Sequence, residues 1–126
     1  MSVASLFALV NIIEIVIAAK AESLASSPAV VEALWAIHAA AFGLDMGATA
    51  VALVGLSRAA ASSALIPGWI KAAALPGAAC SLVAAVFAVA ITNGGAWFAL
   101  GLVGFVTWIV FMIVASISLL RKPQMP

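Results

Sequence analysis

Residues 31–56 read VEALWAIHAAAFGLDMGATAVALVGL. Beyond Glu32 at its start, the ionisable side chains in this run are His38 and Asp45. The run exceeds the ~20 apolar residues a helix needs to cross a bilayer. A charged side chain at the centre of such a helix costs ~2.5 kcal/mol or more. His38 and Asp45 therefore belong to a polar interior and not to a lipid-facing surface. His38, Phe42, Asp45 and Thr49 fall at i, i+4, i+7 and i+11, the spacing of one helical face, and Leu56 continues it. Two turns separate His38 from Asp45, about 10 Å along the axis, too far for a direct hydrogen bond.

Three further segments have the same character. They run from about 3 to 19, 69 to 91 and 97 to 120. The expected fold is all-α, a four-helix transmembrane bundle within one integral membrane domain. Composition agrees. Of the 126 residues 67% are hydrophobic and 7% charged, with mean hydropathy +1.35, whereas soluble domains carry about 25% charged residues. Too little polar material exists to cover a water-facing globule.

Connections lie at Lys20 to Ala29, Ser57 to Gly68 and the turn Thr92-Asn93-Gly94-Gly95. Pro28, Pro67 and Pro123 mark segment margins, and Ser26-Ser27 before Pro28 predicts a capped helix start. Pro76-Gly77 falls inside the third segment and predicts a kink there, tolerated in a membrane when neighbours satisfy the freed carbonyl. Ala19-Lys20-Ala21 resembles a signal-peptide cleavage site. The n-region, however, has no Lys or Arg, and Asn11 and Glu14 interrupt the apolar stretch, so the first segment is expected to remain as a helix.

The basic residues fix an orientation. With four spans, Arg58, Lys71, Arg121 and Lys122 share one side, and Lys20, with Glu22 and Glu32, lies on the other. The positive-inside rule then places both termini in the cytoplasm (N-in, C-in) of a plasma (bacterial inner) membrane. Trp35 and Trp97 fall near the outer interface and Trp69 near the inner one, whereas Trp108 is mid-span. A net charge of +1 with no basic patch excludes nucleic-acid binding.

Depth counting sorts the buried polar groups. Glu14 lies five residues before Ala19, and His38 seven after Val31. At ~1.5 Å per residue these are about 8 and 10 Å from the same side, so antiparallel neighbours can pair them, with Asn11 one turn deeper. A Glu–His pair in a low dielectric shares a proton and titrates as a unit. These residues are the candidates for proton or substrate binding. Asp45 counts to mid-depth with Cys80, Ser81, Thr107 and Trp108, and Thr49 follows one turn on. Hydroxyl and indole donors there would make Asp45 a separate site tied to the third and fourth segments. Small residues recur as Ala39, Gly43, Gly47, Val51, Gly55 and as Ala73, Gly77, Ser81, Ala85, rows that let helices approach closely or form a homo-oligomer.

The chain has no phosphate loop, zinc motif or nucleophile triad, and one His cannot supply two haem ligands. No enzyme activity, cofactor or metal is expected. Cys80 is the single cysteine, which excludes an intrachain disulfide.

Two resemblances follow from particular residues. Gly55-Leu56-Ser57-Arg58, Pro67-Gly68-Trp69-Ile70, and then Gly101, Gly104, Trp108 and Leu119-Leu120-Arg121 resemble a broad group of uncharacterised small bacterial multi-pass membrane proteins. That resemblance covers about two thirds of the chain and implies no activity. The architecture is also similar to that of small multidrug resistance transporters, whose membrane-embedded Glu in the first helix binds a proton or a cationic substrate. Glu14 matches that role in segment and depth. The chain departs from that family in having no Tyr and in carrying His38 and Asp45 in its second segment. The leading expectation is a non-enzymatic accessory or assembly component in the lipid bilayer, oligomeric or within a larger membrane complex, its polar residues holding the bundle together. The alternative is a proton-coupled small-molecule transporter or channel subunit using Glu14 with His38 and Asp45. A transporter needs the three to share one wet space, whereas structural groups should be dry and individually hydrogen-bonded.

Overall fold

The computed structural model describes residues 3–62 and 66–121. Among them the regular structure is entirely helical: α1 (Val3–Ala19), α2 (Ala21–Leu24), α3 (Pro28–Ala61), α4 (Gly68–Val86), α5 (Ala88–Thr92) and α6 (Phe98–Leu120). Lys122 and Pro123, counted above among the flanking residues, lie outside the described residues.

Three of these helices, α3, α4 and α6, are long and apolar enough to cross a membrane, and α1 is a shorter apolar helix. With 17 residues, α1 is about 26 Å long, slightly less than a ~30 Å hydrocarbon core. The 34 residues of α3 span about 51 Å, well beyond that core. The sequence reading of 31–56 was too short because Ala, Ser and Arg continue the helix without continuing the apolar signal. Pro28 occupies the first turn of α3 and Ser27 its N-cap, but neither serine side chain caps the helix. The Ser26 hydroxyl instead donates to the Ser23 carbonyl.

The segment expected at 69–91 is divided, and not at the proline. α4 continues through Pro76. The interruption falls at Phe87, whose φ of −95° and ψ of 19° close α4 and open α5. Pro76 is exposed on the outside of α4. α5 ends in a Schellman turn: Gly95 N–H bonds Ala90 O (2.8 Å) and Gly94 N–H bonds Ile91 O (2.9 Å). Gly94 supplies the positive φ of 85° that this turn requires. A Phe87–Trp97 ring stack at 4.6 Å then pins the chain reversal into α6.

Packing is set by small residues. α4 lies against α3 and α6, and α1 against α3. A Cβ placed on Gly77 would come 2.5 Å from Thr107 Cγ2, and one on Gly104 would collide with the Ser81 hydroxyl. α4 and α6 therefore touch backbone to side chain along the row Gly77, Ser81, and only Gly fits at Gly77 and Gly104. On α3 the expected row is only partly used. Gly43 meets Ala88 and Ala85, whereas Gly47 and Gly55 have nothing near them.

The molecule has two different ends. At the end where α3 finishes and α4 begins, Leu53, Ile66, Ile70, Ala74, Ala78 and Phe111 form a dry core, with Trp108 and Val114 packed on it, and Ser57 Oγ donates to Lys71 O at 3.3 Å. Arg58, Trp69 and Arg121 lie at this end. The other end, bearing Trp35, Thr92 and Phe98, contains the cavity described below. The pattern is inside out for water: His38, Asp45, Thr49 and Ser81 are buried, while Leu44, Val51, Leu82 and Val86 face outward.

Gly77→Ala is expected to destabilise the protein by ~1–3 kcal/mol through overpacking. Gly47→Ala should fall within ~0.5 kcal/mol of wild type. Thermal melting in detergent measures both, and equal melting of the two variants would rule out a tight α4–α6 contact.

Candidate functional site

α1 and α6 both flank α3, and at the Trp35 end they leave a cavity of about 350 Å³ between them. α1 contributes Phe7, Val10, Asn11 and Glu14; α3 contributes Trp35, His38, Phe42, Asp45 and Met46. Ile91 and Thr92 of α5 and Phe98, Gly101, Leu102 and Phe105 of α6 complete the wall. Gly101 matters here because a Cβ would meet Ala84 at 3.3 Å and Phe42 at 3.5 Å. Phe7 stacks on Phe105 at 5.2 Å, closing the seam between α1 and α6.

The Glu14–His38 pairing deduced from depth is present. His38 Nε2 and Glu14 Oε1 are 2.8 Å apart, within the range of charge-assisted hydrogen bonds. The two partners differ in exposure: the His38 side chain is 5% accessible and that of Glu14 53%. Glu14 thus stands at the cavity wall with the imidazole behind it. Trp35, three residues before His38 and so adjacent on the helix surface, lies nearly parallel to the imidazole at 4.7 Å. Its indole N–H donates to Thr92 O at 3.1 Å. One continuous network therefore joins α1, α3 and α5.

Asp45 was expected at a separate site shared with the third and fourth segments. It instead lines the same cavity as Glu14 and His38, because residues seven apart on a helix share a face. Asp45 is 1% exposed, and its Oδ1 has no hydrogen-bond partner. The expected donors do other things. Thr107 Oγ1 donates to Val103 O of its own helix at 2.8 Å and its methyl covers Gly77. Trp108 packs on the dry core and against Phe105. Cys80 is half-buried on α4 as a free thiol and does not line the cavity. Asn11 faces the cavity but donates to Phe7 O at 2.8 Å, so it does not join the Glu14–His38 pair. Thr49 and Ser81 are fully buried, their hydroxyls unpartnered.

Trp35 was read in the sequence only as an interfacial aromatic, and its i, i+3 spacing to His38 was the available signal. Phe7, Phe98 and Phe105 carried no such signal, because their meeting depends on how α1 and α6 sit around α3. Among the described residues no group of three or more His, Cys, Asp or Glu side chains is placed to hold a metal ion. Compared with protein families, curated proteins and solved structures, the chain matches none.

Chemically, the site offers two carboxylates and one imidazole in an aromatic enclosure with no Lys or Arg in its lining. Its charge-bearing groups are therefore acidic or imidazole side chains, set among the rings of Phe7, Trp35, Phe42, Phe98 and Phe105. Glu14→Ala leaves the buried His38 Nε2 without a partner and is expected to cost ~1–3 kcal/mol. Glu14→Gln keeps an acceptor oxygen and should lose clearly less. Melting temperatures in detergent measure the difference, and identical losses would show that the hydrogen bond contributes nothing.

Proposed function

We propose that this chain is a non-enzymatic protein of the bacterial inner membrane that couples proton binding to a small molecule held in its cavity, as a transporter or channel subunit. The observation that carries this reading is that Glu14, His38 and Asp45 line one cavity. Groups serving only to tie helices together should be dry and individually hydrogen-bonded. Asp45 Oδ1, Thr49 Oγ1 and Ser81 Oγ have no partner, and Thr107 is satisfied within its own helix. The purely structural reading leaves the cost of burying those groups without a return.

The Glu14–His38 pair is the proton site, with Asp45 two turns below His38. The rings of Phe7, Trp35, Phe42, Phe98 and Phe105 supply an apolar surface, and faces of this kind attract cations. An apolar molecule, neutral or carrying one positive charge, is the ligand that this lining favours. Arg58, Lys71 and Arg121 at the sealed end support a cytoplasmic location for both termini. The cavity then opens toward the outer side, and the dry core of Leu53, Ile70 and Phe111 closes the inner side. The surroundings are the lipid bilayer.

In proteoliposomes containing a pH-sensitive dye, wild-type protein is expected to move protons when an apolar cationic substrate gradient is applied. Glu14→Gln should reduce that flux to the level of empty vesicles, and Asp45→Asn should lower it at least about tenfold. Unchanged flux in Glu14→Gln, or none in stable wild-type protein across a substrate panel, sinks the proposal.

A further inference from the structure

Trp35 makes two contacts that belong to different parts of the site. Its ring lies 4.7 Å from that of His38, with the planes 5° apart. His38 in turn is 2.8 Å from Glu14. The Trp35 N–H donates to Thr92 O at 3.1 Å. Thr92 is the last residue of α5, where a helix leaves carbonyls without partners of its own.

α5 depends on such ties. Five residues are too few to hold a helix by themselves. The Phe87–Trp97 stack and the turn at Gly94 and Gly95 both lie within the connection from α4 to α6. α5 also packs on α3, and the bond from Trp35 to Thr92 O fastens it there. Ile91 and Thr92 line the cavity, so the place of α5 sets part of the cavity wall.

The other contact of Trp35 is sensitive to charge. An aromatic face attracts a cation within about 6 Å of the ring centre, and indole does so best. The His38 ring is inside that reach, so the stack is tighter when the imidazole is protonated than when it is neutral. An attraction of the usual size changes a two-state balance about twofold to thirtyfold. Few charged groups surround the ring. Glu14 of α1 faces it, Asp45 lies two turns along α3, and α4, α5 and α6 bring no charged side chain to the cavity lining.

We propose that Trp35 is a latch: a proton on His38 holds the indole over the imidazolium, and the indole N–H then holds the end of α5 against the cavity. Without that proton the hold on α5 loosens. The inference rests on the Glu14–His38 proton site of the reading above, not on flux, and adds how a proton there reaches the cavity wall.

The test is NMR on the full-length chain in detergent, with no substrate and no gradient. The chain has one His and four Trp, so the ring signals are few. The Trp35 indole N–H signal, identified by its loss in Trp35→Phe, is expected to shift with pH in step with the His38 ring signal. Amide exchange over residues 91–95 is corrected for the intrinsic effect of pH and compared with Leu53 in the dry core. It should be about twofold to thirtyfold slower with His38 protonated. Trp35→Phe keeps a ring beside His38 but has no N–H, and should make α5 exchange independent of pH. His38→Gln should do the same and hold the indole signal still. Should Trp35→Phe fail to fold, His38→Gln decides the matter. An indole signal that does not follow His38, or α5 exchange that still follows pH in either variant, overturns the latch. Linked signals in a protein that moves no protons would sink the transport reading alone.

Discussion

The contact between α4 and α6 at Gly77 and Gly104 is the constraint on which the rest of the molecule depends. In an apolar solvent there is little hydrophobic drive between helices, so backbone proximity and shape do the work. Gly77 receives Thr107, and Gly104 receives Ser81. This seam fixes the height of α6 against α4, and with α3 packed on both it fixes the dry core around Leu53, Ile70 and Phe111. The cavity is the complement of that seam. α4 gives way to α5 at Phe87, Ile91 and Thr92 of α5 line the cavity, and α1 and α6 meet through the Phe7–Phe105 stack.

That arrangement explains why polar groups collect at one end. His38, Asp45 and Thr49 occupy one face of α3; His38 and Asp45 line the cavity, and Thr49, one turn further along, is fully buried. The dry core begins one residue later, at Ala50. A single helix thus carries a polar half and an apolar half, and α1 covers only the polar one. His38 and Asp45 are thus buried beside the cavity, and the remainder of the interior is filled with aliphatic and aromatic side chains.

Much of this was legible in the sequence. The extents of the first and last helices follow from apolar length alone. The Glu14–His38 contact followed from counting both residues from the same end of antiparallel neighbours joined by a short connection. Asp45 shows where counting failed: depth says how far a residue lies along the membrane normal and nothing about the direction its side chain takes. The seven-residue spacing from His38 held that direction, and it outweighs coincidence of depth with Thr107 or Ser81. The interruption at Phe87 was not expected, because the third segment was read as one helix with a kink at Pro76. Pro76 is the visible signal, and α4 runs through it, whereas Phe87 has no Gly or Pro beside it and stacks on Trp97. The aromatic wall was invisible because it is assembled from three helices whose mutual rotation no local pattern encodes.

The half-satisfied imidazole of His38 has a chemical consequence of its own. Its Nε2 faces the Glu14 oxygen, while Nδ1 is buried without a partner. When Glu14 is a carboxylate, the ring hydrogen of neutral His38 sits on Nε2, and Nδ1 presents a lone pair. A second proton on the ring turns Nδ1 into an N–H. Proton uptake thereby reverses the polarity of that atom, from one that accepts a hydrogen bond to one that donates it. The same buried nitrogen therefore makes opposite demands on whatever comes beside it in the two charge states.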